Sequence, residues 1–116
     1  MYKIYFYKDK AGKEPVAEYL LELSSKHDKK SRIKLNKIRD YIKVLEQFGL
    51  SSGEPYIKHI EDDLWELRPI RDRIFFISWY GDSFVLLHHF LKKSQKTPRK
   101  EIEAAKRKIN DLKSRG

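Results

Sequence analysis

Seven side chains of this 116-residue chain could together handle a phosphate ester: Arg68, Arg73, His88, His89, Lys92, Lys93 and Lys96. Arginine presents a planar fork that pairs with two oxygens of one phosphate. Histidine titrates near neutrality and can move a proton. Lysines placed beside these groups can hold phosphates on either side of a reacting centre. The spacing is suggestive, because the apolar run Phe84-Val85-Leu86-Leu87 passes directly into His88-His89, then into Lys92, Lys93 and Lys96, and Pro98 follows. Each group also has a plain reading. Arg68 precedes Pro69 at a strand end, where an exposed arginine is ordinary. Arg73 opens an apolar strand and could be a gatekeeper at a sheet edge. The His-His-Lys-Lys stretch could be a solvated strand end.

Those residues need elements to position them. Tyr2, Ile4 and Phe6 alternate with Lys3, Tyr5 and Tyr7, which predicts a strand with aromatic residues on both faces. Pro15 stands where a first helical residue belongs, and Val16, Tyr19, Leu20 and Leu23 follow at helical spacing. Leu35, Ile38, Ile42 and Leu45 form the apolar stripe of a longer helix over 29–48, with Gly49 as its stop. Two helices joined by a few polar residues make an antiparallel hairpin. Beyond Pro55 the period shortens. Leu64, Trp65 and Leu67, the run Asp72–Tyr80 and the run Phe84–Leu91 read as a three-stranded antiparallel meander, with Glu61-Asp62-Asp63 as a turn. Thr97 and Pro98 open a last helix, as N-cap and first residue, with Ile102, Ala105, Ile109 and Leu112 as a thin apolar stripe. In a regular strand neighbours face opposite sides, so one of His88 and His89 points inward, and only one of Lys92 and Lys93 enters a site. Trp65, Phe75, Phe76 and Trp79 could stack on bases, but most are needed in the core, which leaves Trp79 and Tyr80 as the exposed pair. His27 and His59 read as solvated or capping groups. The class is α+β in one domain over 1–116: an N-terminal strand and a helical hairpin packed on a small antiparallel sheet, with a C-terminal helix.

Composition sets the outer limits. There is no cysteine, which removes disulfides, thiolate catalysis and cysteine metal sites. No apolar stretch is long enough to span a bilayer, and the N-terminus lacks the pattern of a signal peptide, so the expectation is a cytoplasmic protein. No spacing of histidines or carboxylates suits a metal. Net charge is +9, unevenly placed. Residues 26–50 carry eight basic and three acidic side chains, residues 51–83 four and seven, and residues 84–116 ten and three. Two basic blocks flanking an acidic middle favour a polyanionic partner, nucleic acid ahead of membrane.

The segment from Trp65 to Ile109 resembles the phage-derived, HigB-like branch of the RelE/ParE toxin superfamily. The resemblance lies in Glu66-Leu67-Arg68, in Arg73-Ile74-Phe75-Phe76 and in Leu86 through Pro98. The order of elements is similar over essentially the whole chain. The resemblance implies the toxin half of a type II toxin–antitoxin pair, neutralised by a helix-turn-helix antitoxin protein and cleaving mRNA, usually on the ribosome. It favours His88 as the site histidine, since a small residue usually follows that position; His89 departs from the pattern, and a bulge would reverse the assignment.

Under that reading RNA is cut without metal or cofactor by its own 2′-hydroxyl attacking the adjacent phosphate. Such a reaction needs oriented attack, proton uptake, proton delivery to the 5′-oxygen, and stabilisation of charge on phosphorus. Arg68, Arg73, His88 and Lys93 are the expected catalytic set, with Lys92, Lys96 and His89 binding RNA; histidine and lysine both stay eligible as general base. The lysine-rich helix over 29–48 could meet ribosomal RNA. Two other readings remain: a non-catalytic gyrase inhibitor of the ParE type, which would not need this set, and an inactive prophage relic.

Overall fold

The computed structural model describes residues 1–115. Its elements run β1 (Lys3–Phe6), α1 (Pro15–Ser25), α2 (Lys29–Phe48), β2 (Ile57–Glu61), β3 (Leu64–Leu67), β4 (Asp72–Trp79), β5 (Ser83–Leu91) and α3 (Arg99–Arg115). The five strands form one sheet in the order β1-β5-β4-β3-β2. The α+β expectation holds, with two differences. The meander has a fourth strand, β2, and β1 does not merely pack on the sheet but joins it, parallel to β5 from Lys3 opposite Ser83 to Phe6 opposite Leu86. The sheet is therefore mixed. Within β2 the pairing slips between His59 and Glu61, which breaks the alternation that would mark a strand in the sequence.

Sequence signals at the helix ends operate as their chemistry requires. The Asp28 carboxylate accepts from the Ser31 amide at 3.0 Å and the Ser31 hydroxyl at 2.8 Å, capping α2. Gly49 ends α2 at φ +59°, its amide returning to the Leu45 carbonyl. The last helix begins at Arg99, one residue later than the proline suggests, and the Pro98 carbonyl accepts from the amides of Glu101 and Ile102.

Both faces of the sheet are covered. Val16, Leu23, Leu35, Ile38 and Leu45 of the helical hairpin meet Ile57, Leu67, Ile74, Phe76, Phe84 and Leu86 on one face. On the other, Ile102, Ala105 and Ile109 of α3 meet Leu64, Phe75, Ile77, Val85, Leu87 and Phe90. Phe75 and Phe76 are both fully buried, and of the expected exposed pair only Tyr80 at the β4–β5 turn is exposed, Trp79 being half-buried against the core under α3. Burying a side chain of this size contributes about 1.5–3 kcal/mol relative to leaving it in water.

One irregularity decides which histidine faces which layer. Phe75 pairs with His88 but Phe76 pairs with Leu86, so Leu87 is an extra residue, a β-bulge. Before it, Phe84 and Leu86 face the hairpin and Val85 faces α3; after it, Leu87 and His88 both lie on the α3 side and His89 turns to the hairpin.

The two charge blocks at the C-terminal half meet where α3 passes the β2–β3 turn. Arg99 forks onto Glu61 at 2.6 and 3.0 Å and reaches Glu103 at 2.9 Å; Lys106 pairs with Glu61 and Asp62, and Lys113 with Asp63. The acidic turn between β2 and β3 is thus the docking edge for α3. Hydrogen bonds from Arg99 and Lys106 hold the Glu61 carboxyl down at about 2. A carboxyl lowered on folding stabilises above its unfolded pKa and stops doing so as pH falls through the folded value. Acid titration of stability should therefore show a loss between about pH 4 and pH 2. Glu61→Gln should flatten that segment of the curve; an identical acid limb in the variant would mean the pairing contributes nothing.

Candidate phosphate-binding site

The two-sided apolar cover stops near the start of β4 and the end of β5, and charged groups take over. Glu66 on β3 is fully buried and lies opposite Phe75 on the α3 side of the sheet. Its Oε1 is 3.4 Å from Arg68 Nε and 3.7 Å from Arg73 Nε. None of these atoms, nor Glu66 Oε2, forms a hydrogen bond within the protein, so the attraction between them is Coulombic. Burial pushes the Glu66 carboxyl up, and the charges of Arg73, Lys92, Arg68 and Lys58 pull it back. One buried carboxylate thus sits among four cations.

The arginines spend their other nitrogens differently. Arg73 Nη1 donates to the backbone carbonyls of Ile70 at 2.8 Å and Asp72 at 2.9 Å, which locks the guanidinium under the β3–β4 turn. Arg68 Nη1 reaches the exposed Glu54 at 3.3 Å. Lys92 follows β5, its amide bonded to the Arg71 carbonyl at 2.8 Å. Its ammonium is disfavoured by burial first, then by Arg73, Arg68 and Lys58, with Glu66 opposing, so its pKa is lowered. Arg71, Arg73, Lys92, Lys93, Ser94 and Gln95 line an open depression of about 360 Å³. A larger one, about 510 Å³, lies at the opposite end of β5 among Tyr5, Tyr7, Trp79 and Tyr80. Its lining holds Lys8 with Asp82, and Arg115 is held by Asp111 at 2.8 Å, so the larger excess of positive charge is at the first.

The residues singled out in the sequence divide into three places. Arg68, Arg73 and Lys92 converge on Glu66, and Lys93 joins Arg73 and Lys92 at the depression. His88 does not join them. Phe75, opposite both Glu66 and His88 in the ladder, stands between. His88 is instead wedged beneath α3, with Nε2 2.8 Å from Glu101 Oε1 and Nδ1 3.1 Å from Lys108 Nζ, and burial lowers its pKa. His89 lies on the hairpin face, its Nε2 2.8 Å from Asp72 Oδ1 and its ring stacked on Tyr19 at 3.6 Å. The Tyr19 hydroxyl donates to the same Asp72 oxygen at 2.7 Å. Burial raises the Asp72 carboxyl, but those two bonds and the Lys34 charge outweigh it and the net shift is downward. Lys93 also borders a second depression with His89, Pro98 and Glu101. Lys96 is exposed in the loop before α3. His59 takes the capping role, its Nε2 2.7 Å from the Asp62 carbonyl.

Glu66 is the member that the sequence reading passed over. The sequence shows it only as part of Glu-Leu-Arg; its parity with Leu64 places the two on one face, which the structure covers with α3.

A family model described as phage-derived protein Gp49-like (DUF891) matches residues 18–110, and the chain belongs to that family. A search of the curated proteins gives no match. Among the described residues no helix is long and apolar enough to cross a membrane.

If Glu66 is the counter-charge of this cluster, Glu66→Gln keeps its shape and leaves Arg68, Arg73 and Lys92 facing one another unbalanced. Removing one partner of a buried ion pair costs roughly 3–5 kcal/mol. The partial access of Arg68 and Lys92 to water puts the expectation at the low end, a fall in Tm of roughly 10 °C or more. A Tm within a degree or two of the parent would remove Glu66 from this role.

Proposed function

We propose that the chain is a toxin of the RelE/HigB type, the toxin of a type II toxin–antitoxin pair, acting as a metal-independent, ribosome-dependent endoribonuclease on mRNA. Membership of the phage-derived Gp49-like family is compatible with a toxin. The observation that carries the activity is the depression lined by Arg71, Arg73, Lys92 and Lys93, backed by Arg68 and the buried Glu66.

In this reading the phosphate of the scissile bond rests on the depression. The RNA 2′-oxygen attacks phosphorus as its proton passes to water, the bond to the 5′-oxygen breaks, and a 2′,3′-cyclic phosphate and, once the 5′-oxygen is protonated, a free 5′-hydroxyl result. Arg73 is held rigidly by two backbone carbonyls and does not have to reorganise as charge builds on phosphorus. Lys92, its ammonium destabilised by burial and by neighbouring cations, is the group best suited to give a proton to the leaving 5′-oxygen. Lys93 holds an adjoining phosphate. His88 is engaged by Glu101 and Lys108 beneath α3, which supports lysine over His88 in the proton-transfer role. The neutralising helix-turn-helix protein and the ribosome are the partners of this reading.

Arg73 is anchored to the turn, so its removal endangers the fold, and Lys92→Gln is the cleaner variant. In a purified translation system, primer extension should reveal new mRNA ends at translated codons with the protein present and ribosomes engaged. Lys92→Gln should reduce them by about 10²–10⁴-fold, the range of a general acid, with an unchanged circular dichroism spectrum. Ends that persist in the variant would remove Lys92 from the chemistry. No ends with the parent protein would shift the weight to a gyrase inhibitor or an inert relic.

A further inference from the structure

Beside the phosphate depression, but opening on the hairpin side, runs a groove of about 450 Å³ lined by Lys30, Ile33 and Lys34 of α2, Ile70 and Arg71 of the β3–β4 turn, the buried Asp72 that opens β4, and Leu91 at the end of β5. Its floor is almost wholly apolar, and the three aliphatic side chains that make it are 47%, 54% and 43% exposed for Ile33, Ile70 and Leu91. Single exposed aliphatics are ordinary, but three on one concave surface are not.

Ile70 is the more telling. It sits at φ +57°, a left-handed conformation that a β-branched residue adopts only under strain and that glycine or asparagine would hold freely. The turn around it is pinned, the Asp72 amide bonded to the Pro69 carbonyl at 3.0 Å and the Ile70 carbonyl bonded to Arg73. The folded chain gains little from this isoleucine, which is more than half exposed, yet the strained position carries one.

The rim is cationic. Lys34 is 3.9 Å from Asp72, and Lys30 and Arg71 form no ion pair among the described residues. Elsewhere Arg99, Lys106 and Lys113 are matched to carboxylates. RNA suits such a floor poorly, because splayed bases want aromatic faces or hydrogen-bonding edges, and the groove supplies aliphatic side chains. An amphipathic helix suits it well: apolar side chains at three- and four-residue spacing fill the floor while carboxylates beside them meet Lys30, Lys34 and Arg71.

We propose that this groove docks an acidic, amphipathic helical segment of a partner protein, with Ile70 as its central apolar anchor. Calling that partner the neutralising protein rests on the toxin reading; the docking does not. Arg71 lines both the groove and the phosphate depression, so the docked segment would lie against the wall of the active site.

The test is selection of a displayed random peptide library, about 16 residues long and so roughly 24 Å as a helix, on the full chain. Anisotropy measurements with labelled winners follow. Enriched peptides should carry Leu, Ile or Phe at three- and four-residue spacing with Asp or Glu between them. Ile70→Gly should weaken them by about tenfold or more without lowering Tm, since the substitution relieves the turn. Arg71→Glu should weaken them comparably, and Lys92→Gln should leave them unchanged. The proposal is overturned by winners lacking acidic residues, by winners indifferent to Ile70→Gly, or by an empty selection. Protection of the Ile33 and Ile70 amides by a uridine-rich RNA oligonucleotide would overturn it in favour of RNA. None of these readouts uses nuclease activity, so a failure here is separable from a failure of primer extension.

Discussion

The structure depends on β4 being covered from both sides. Six consecutive residues, Asp72 to Ile77, are buried, so alternate side chains must be supplied with two separate apolar layers, the hairpin on one face and α3 on the other. The layers cover the middle of the strand and run out at its beginning, where Asp72 and Arg73 replace the apolar side chains. Buried polar groups need partners of opposite charge, and they have recruited them: Tyr19, His89 and Lys34 around Asp72 on one face, Glu66 and its arginines on the other. The cationic depression is what the end of a two-sided core looks like when it is closed with charge.

The electrostatics follow the same geometry. Three of the ten basic side chains beyond residue 83, Arg99, Lys106 and Lys113, hold α3 to the acidic β2–β3 turn. Positive charge without an ion pair among the described residues lines the depression where β4 begins and β5 ends and the first turns of α2. A net charge of +9 therefore overstates how basic the α3 surface is and understates how local the attraction is elsewhere.

Much of the fold was legible. Pro15, the Leu35–Leu45 stripe and Gly49 set both helices of the hairpin because caps and periodicity are local. The partner of β1 was not legible, since parallel pairing across some eighty residues leaves no local trace. The strand β2 was hidden by its own slipped register. For the site, residue type was a fair guide where side chains lie on neighbouring strands, as with Arg68, Arg73 and Lys92. It failed for His88 and His89, because a single extra residue on β5 reassigns both and nothing in Leu-Leu-His-His announces it. Glu66 was passed over for the opposite reason: a glutamate in the middle of a strand reads as solvent-facing until the covering layer is known.

The bulge at Leu87 has a consequence for how such a chain can change over generations. Along β5 it separates two reading phases, one in which even-numbered positions face the hairpin and one in which they face α3. A codon gained or lost between Phe84 and His88 would either erase that boundary or double it. Substitutions in this strand can be accepted one at a time, but a length change exchanges the surroundings of every residue beyond it, moving His88 and His89 between layers in one step. The length of the segment is therefore constrained separately from the packing that constrains its residues.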